Sequence, residues 1–339
     1  MIKKIFAITF TSLFGIALLF LVGIWIGIDE IIFSFRAFTL PILLLYLLVS
    51  ILIFIGHVWR WWLILRIDGF HIPFFHVARY RLEGYSVCYL TPVAFMGGEP
   101  LRAYLLKSKH DVPYTRGFSS IVIDKNFELI INGFFALIGV FLLLLNFALP
   151  KKFEILIAGA VIFSLVSVLF FYRELLYGRN IFLRIFRFLR LHKLKKMLKL
   201  EQKVIETEKQ IHDFFIEHTR ACKYILFSMI LMWFLVYLEY HFALQLIGVE
   251  PSLMLIFLVF AMVGVSFIVP IPGGLGVLES TQASVFSLYG STAASGVALS
   301  LLVRARDLVW VFLGLCDGGV HGIKQFYSFI VGKEDLKKE

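Results

Sequence analysis

The chain has 339 residues, 60% of them apolar and only 17% charged, with a mean hydropathy of +0.88. A soluble domain carries about a quarter charged residues, so this composition excludes an ordinary soluble enzyme. The net charge is +10, but residues 173–223 hold 13 basic against 6 acidic side chains beside apolar spans. There the positive-inside rule accounts for the charge and no nucleic-acid partner is implied.

A helix needs about 20 apolar residues to cross the hydrocarbon core. Ile5–Ile28 supplies them without a charge, after Lys3 and Lys4. It is too long for a secretory signal, and no small-residue cleavage site follows, so it reads as a first span with a cytoplasmic N-terminus. Asp29–Thr39, with one arginine and two acids, is expected as an outer loop. A second span over about 40–65 returns to a cytoplasmic end marked by Trp59, Arg60, Trp61, Trp62 and Arg66. Residues 76–93 are only moderately apolar and stop at Pro92, ahead of Phe95-Met96-Gly97-Gly98-Glu99-Pro100-Leu101-Arg102 and a short run to Leu106. Arg79 and Arg81 on one side, and Lys107, Lys109 and Arg116 on the other, predict a hairpin of short helices that enters and leaves at the cytoplasmic face.

A long helix over 117–149 then crosses outward and 153–172 returns. In 182–190 apolar and basic residues separate at helical spacing, which predicts an amphipathic helix on the inner leaflet; residues 200–220 read as a solvated helix. The second half repeats the plan. A span over 222–247 goes out, 253–269 stops at Pro270-Ile271-Pro272-Gly273-Gly274-Leu275-Gly276, and a short helix over 277–289 climbs again. Without charge at either end, this pair is expected to enter from outside. A last span over 292–318 ends inside at the basic C-terminus.

The expected fold is an all-α polytopic membrane protein of about six full spans and two oppositely facing re-entrant hairpins. It forms one integral-membrane domain over 1–339: a first half 1–172, a basic cytoplasmic segment 173–223 and a second half 224–330. Broken helices in corresponding positions are the sign of an inverted repeat whose breaks meet near the midplane.

Gly97, Gly98 and Pro100 write a helix start, and as such can be a plain cap. Inside a membrane, however, the unpaired N–H groups of a helix start bind anions. Arg102, one turn in, adds a planar fork suited to phosphate. Glu99 is expected to pair with Arg102 or with another buried cation. Pro272, Gly273, Gly274 and Gly276 suggest backbone that approaches something closely, with Glu279 in the first turn beyond. Charges inside other spans are costly and mark pathways: Asp124, Lys125 and Glu128 in one, Arg304, Arg306 and Asp307 in another, Glu239 and His241 in a third. Arg304 and Asp307 share a face and are expected to pair. The scattered Cys88, Cys222 and Cys316 read as buried structural thiols. No metal-ligand spacing, cofactor motif or nucleophile beside a base is evident, so neither a cofactor nor an enzymatic activity is expected.

Gly97-Gly98-Glu99-Pro100-Leu101-Arg102-Ala103-Tyr104, the pair Asp124-Lys125, and Pro270 through Glu279 followed by Arg304 resemble the transmembrane region of lysylphosphatidylglycerol synthases. The likeness extends over most of the chain. In bifunctional members of that family this region is a lipid flippase joined to a cytosolic aminoacyl-transfer domain. The chain ends soon after its last predicted span, so the resemblance implies the transport half alone. It also implies a cell-membrane location and membrane lipids, an anionic phospholipid or glycolipid, as cargo. A separate lipid-modifying enzyme and a second copy of the chain are the expected partners. Arg102 and Arg304 would then hold phosphate, with Glu99 and Glu279 as gates or as contacts to a cationic or hydroxylated headgroup. Two other readings stand: a lipid-linked glycosyl- or phospho-group transferase using Glu99, Asp124 or Glu279 as base, and a secondary transporter of a small organic anion.

Overall fold

The computed structural model describes residues 17, 20–90, 97–146, 151–152, eight separate positions between 155 and 184, 198–266, 271 and 274–319. Among these there is no strand. Helices are what the bilayer dictates, because every buried backbone amide must be bonded within its own segment. The spans expected at 5–28 and 153–172, the surface helix at 182–190 and the basic C-terminus lie mostly or wholly outside the described residues.

The expected outer loop at 29–39 is largely helical. Gly27 takes φ 99°, interrupting the helix before it, and α1 (Ile28–Ser34) restarts with Asp29 and Glu30 in its first turn, where carboxylates favour the helix dipole. A short 3-10 turn, Phe35–Ala37, follows. Then come α2 (Leu40–Ile67), the short pair α3 (Phe74–Leu90) and α4 (Glu99–His110), and the long α5 (Tyr114–Asn146). After α6 (Leu198–Glu217), the second half runs α7 (Thr219–Leu246), the short pair α8 (Leu253–Ser266) and α9 (Val277–Leu288), and α10 (Ala293–Gly314), which ends in a π-turn, Leu315–Gly319.

Helices α2, α5 and α7 are each long and apolar enough to cross a membrane. The four short helices have 17, 12, 14 and 12 residues. At 1.5 Å per residue none of them covers the roughly 30 Å hydrocarbon core with its described residues. The packing crosses between the halves. α4 lies on α5 and α9 on α10, within their own halves, whereas α3 packs on α10 and α8 on α5; α2 and α7, both of 28 residues, pack on each other.

Two glycines set the close approach of the first pair. A Cβ on Gly98 would overlap the Gly84 carbonyl, and a Cβ on Gly84 would sit 2.6 Å from Cγ of Arg102. Gly98 itself has φ −93°, so its requirement is space and not conformation. The second break differs: Gly274 (φ 60°) and Gly276 (φ 78°) occupy the left-handed region that glycine alone visits freely.

Two further expectations change. α6 is not a fully solvated helix, since Ile211 and Phe214 are buried against α5 and α7. Its apolar residues fall at i and i+3, which aligns them on one face. Nor are the thiols fully buried: Cys88 and Cys222 are half-buried, and Cys316 is exposed on the π-turn.

Gly98→Ala is expected to destabilise the protein by about 1–3 kcal/mol, the usual cost of forcing atoms into a packed site. Gly133→Ala, with nothing within 4 Å of the added carbon, should be neutral or slightly stabilising because alanine favours helix. Thermal unfolding of the two variants in detergent checks the contrast.

Candidate functional site

Three arginines converge on one carboxylate. Arg60 of α2 places Nε 2.6 Å from Oδ1 of Asp124 on α5. Arg81 of α3 reaches Oδ2 at 2.8 Å, and Nη2 of Arg102 on α4 lies 3.5 Å from the same oxygen. Asp124 and Arg60 are wholly buried. Beside them Lys125 Nζ stands 3.1 Å from Glu128 and 3.8 Å from Glu99, and Arg60 Nη2 is 3.7 Å from Glu128. Four cations and three carboxylates thus leave one positive charge in excess.

Arg102 is held on three sides. Its guanidinium carbon lies 3.8 Å from the centre of the Trp61 ring, a cation–π contact. Trp61 is itself fixed, its Nε1–H donating to Ser120 Oγ at 3.1 Å. The stem of Arg102 passes over Gly84, where no side chain stands in the way. Nε of Arg102 is buried and makes no hydrogen bond among the described residues. A guanidinium with an unmade bond in a dry site is a strong acceptor-seeker, because leaving a buried polar group unpaired is costly.

The second group of charges has the opposite balance. Arg304 of α10 pairs with both oxygens of Glu279 on α9, donates to the Gly274 carbonyl at 3.0 Å, and reaches the Tyr89 hydroxyl of α3 at 3.4 Å. Glu279 also accepts from the Gly276 N–H at 2.8 Å, capping its own helix. Arg306 bridges Glu239 of α7 at 2.6 Å and Asp307 at 2.8 Å. Two arginines face three carboxylates here, an excess of one negative charge.

A cavity of about 260 Å³ lies between the groups. Arg81, Glu99, Arg102, Lys125, Glu128 and His57 line one side, and Glu239, Arg306 and Asp307 the other, with Tyr85 between them. A second cavity of about 150 Å³, lined by Tyr240, Val259, Leu278 and Gln282, shares Tyr85, Arg306 and Asp307 with the first.

The residues picked from the sequence therefore separate. Glu99, Arg102, Lys125, Glu128, Arg306 and Asp307 face the cavity, while Asp124 lies behind it as an anchor. Glu279 and Arg304 hold the second break together and do not line the larger cavity. Gly97 and Gly98 direct backbone N–H groups to the Cys88 sulfur, and Gly274 and Gly276 shape the turn; Pro272 and Gly273 lie outside the described residues. The expected Arg304–Asp307 pair does not form. Arg306 takes Asp307, and Glu279 on the neighbouring helix offers Arg304 both oxygens. Glu99 finds Lys125 in place of Arg102.

Sequence reasoning passed over Arg60, Arg81, His57 and Tyr85. Their signal was periodicity. Ser50, His57 and Arg60 recur on one face of α2, and Arg81, Tyr85 and Cys88 follow at i, i+4 and i+7 on α3.

Asp124→Asn leaves the buried Arg60 and Arg102 and the partly buried Arg81 without their shared carboxylate and is expected to cost about 3–5 kcal/mol, as for other broken buried pairs. Arg102→Lys should cost far less, since Asp124 keeps Arg60 and Arg81. Comparison of the two melting temperatures in detergent tests the ranking.

The profile of the lysylphosphatidylglycerol synthase transmembrane region matches residues 12–315. Among curated proteins, a UPF0104 membrane protein of Pyrococcus horikoshii is 26% identical, covering 91% of this chain and 95% of its own length. Two UPF0104 membrane proteins of Methanothermobacter thermautotrophicus are 24% and 26% identical, over 81% and 86% of this chain and 82% and 86% of theirs. No solved structure matches. With its apolar spans and a profile match over residues 12–315, the chain belongs to the lysylphosphatidylglycerol synthase transmembrane-region family.

Proposed function

We propose that the protein is a lipid translocase, and that the central cavity receives the polar headgroup of a phospholipid or related lipid on its way between leaflets. The observation that carries this reading is the cavity itself: a charged chamber whose cationic wall is built from α3, α4 and α5 and whose acidic wall comes from α7 and α10. A charged group at the bilayer centre costs at least about 2.5–3.5 kcal/mol even on the most lenient scale. A headgroup entering this chamber meets charges that are already desolvated and already oriented. Arg81, Arg102 and Lys125 face its phosphate; Glu239 and Asp307 face a cationic or hydroxylated end. The acyl chains remain in lipid beside the apolar outer faces of α2, α5 and α7, where Leu44, Leu48, Phe134, Phe141, Phe227 and Phe234 are exposed.

The two short pairs act in this scheme as re-entrant hairpins of an inverted repeat. In support, the helix order recurs as long, short, short, long, and each half lends the first arm of its pair to the long helix of the other. Movement of one half against the other would open the chamber to each leaflet in turn, the usual route to alternating access. The N- and C-termini would both lie in the cytoplasm, following the basic flanks.

A carrier is favoured over a transferase that uses Asp124 or Glu279 as base, though not over one that uses Glu99, whose Oε2 is unbonded among the described residues. Asp124 has both oxygens on arginines, and so has Glu279. Neither is free to take a proton from a nucleophile.

In vesicles containing headgroup-labelled phosphatidylglycerol, the purified protein is expected to speed exchange between leaflets. Arg102→Ala, which leaves Asp124 paired, should lower that rate at least about tenfold, a loss of roughly 1.4 kcal/mol of transition-state stabilisation. Transfer no faster than in protein-free vesicles, with folded protein present, would defeat the reading. Uptake of a soluble organic anion in its place would indicate a solute carrier.

A further inference from the structure

His57 is a titratable group in the chamber that nothing above employs. It sits on α2, one turn before Arg60, and lines the cavity; its Nδ1 is buried and has no hydrogen-bond partner among the described residues. The charged groups around it come from every wall. Arg60 is on its own helix, Arg81 on α3, Glu99 and Arg102 on α4, and Asp124, Lys125 and Glu128 on α5. Across the cavity stand Glu239 on α7 and Arg306 and Asp307 on α10.

The nearer wall already holds one positive charge in excess. A proton on His57 adds a further cation to a buried site, where like charges repel with little screening. An anion seated on Arg81, Arg102 and Lys125 cancels that excess, and the unpartnered ring nitrogen can then carry a proton beside it.

From this we propose that His57 takes up a proton when the cavity takes up an anionic headgroup, so that the lipid and one proton cross together. The inference rests on the headgroup reading above and adds its coupling ion. The proton comes from water at the open side, resides on the imidazole while the anion is bound, and returns to water at the other side. One imidazole N–H bond forms as a hydronium O–H bond breaks, and the reverse exchange occurs on release. A pH gradient would then drive net movement of an anionic lipid out of the more acidic side.

Binding is reciprocal, so an anion that raises the proton affinity of His57 must itself bind more tightly as pH falls, by up to about tenfold per pH unit for one linked proton. The test is calorimetric titration of the full chain in detergent with dihexanoyl-phosphatidylglycerol, in two buffers of different ionisation enthalpy at the same pH. The wild type should take up about one proton per lipid bound. His57→Gln should still bind, with no proton uptake and an affinity independent of pH. Wild-type binding without proton uptake, or equal uptake by His57→Gln, would overturn the coupling and leave the headgroup site standing. No binding at all would overturn the site and the coupling with it. Should His57→Gln fail to fold, wild-type vesicles with an imposed pH gradient decide the matter. Labelled phosphatidylglycerol should shift away from the acidic side, and an unchanged distribution defeats the proposal.

Discussion

The structure depends on a single carboxylate. Asp124 is wholly buried and joins Arg60, Arg81 and Arg102, one from each of α2, α3 and α4, to α5. In a bilayer such a group cannot lower its cost by reaching water, and each arginine left alone would be worse. The four helices are thus committed to one arrangement. Neutral apolar side chains could not impose it, because lipid tails compete on equal terms for apolar surface. Desolvated charges have no such alternative partner.

Charge convergence requires backbones to come close, and glycine supplies the room. Gly84 does two things at once: it lets Gly98 approach, and it gives the stem of Arg102 a path to Asp124 and to the face of Trp61. The same device recurs where Gly139 of α5 meets the Phe257 carbonyl of α8, and where Gly314 of α10 meets Leu82 of α3. Those are the crossings at which each half packs on the other. Small residues at helix interfaces are what holds such bundles together.

Much of this was legible in the sequence, for identifiable reasons. Long apolar runs and the Gly/Pro breaks located α2 through α5 and α7 through α10 within a few residues, since both features act locally. Pairing was not legible. Arg304 and Asp307 share a helix face, yet which carboxylate Arg304 meets is decided by α9, 25 residues away in the chain. Arg60 looked like an interface residue because three tryptophans surround it, a composition equally suited to a membrane boundary. Its burial came from α5 folding over it, which no local pattern records.

The helix ends show how far local chemistry misleads about a site. Both breaks have the glycines and prolines of an anion-binding helix start, but each supplies its own acid to that start: Glu99 in the first turn of α4 and Glu279 in the first turn of α9. Glu279 spends itself on the Gly276 amide and on Arg304. With the dipoles answered internally, the charge left only partly compensated lies at the guanidinium groups of Arg81 and Arg102, because Asp124 is shared three ways. Helices α3 and α4, on either side of the first break, both reach the cavity. The holding of charge falls to side chains on three different helices, so a shift of any one of them changes the site.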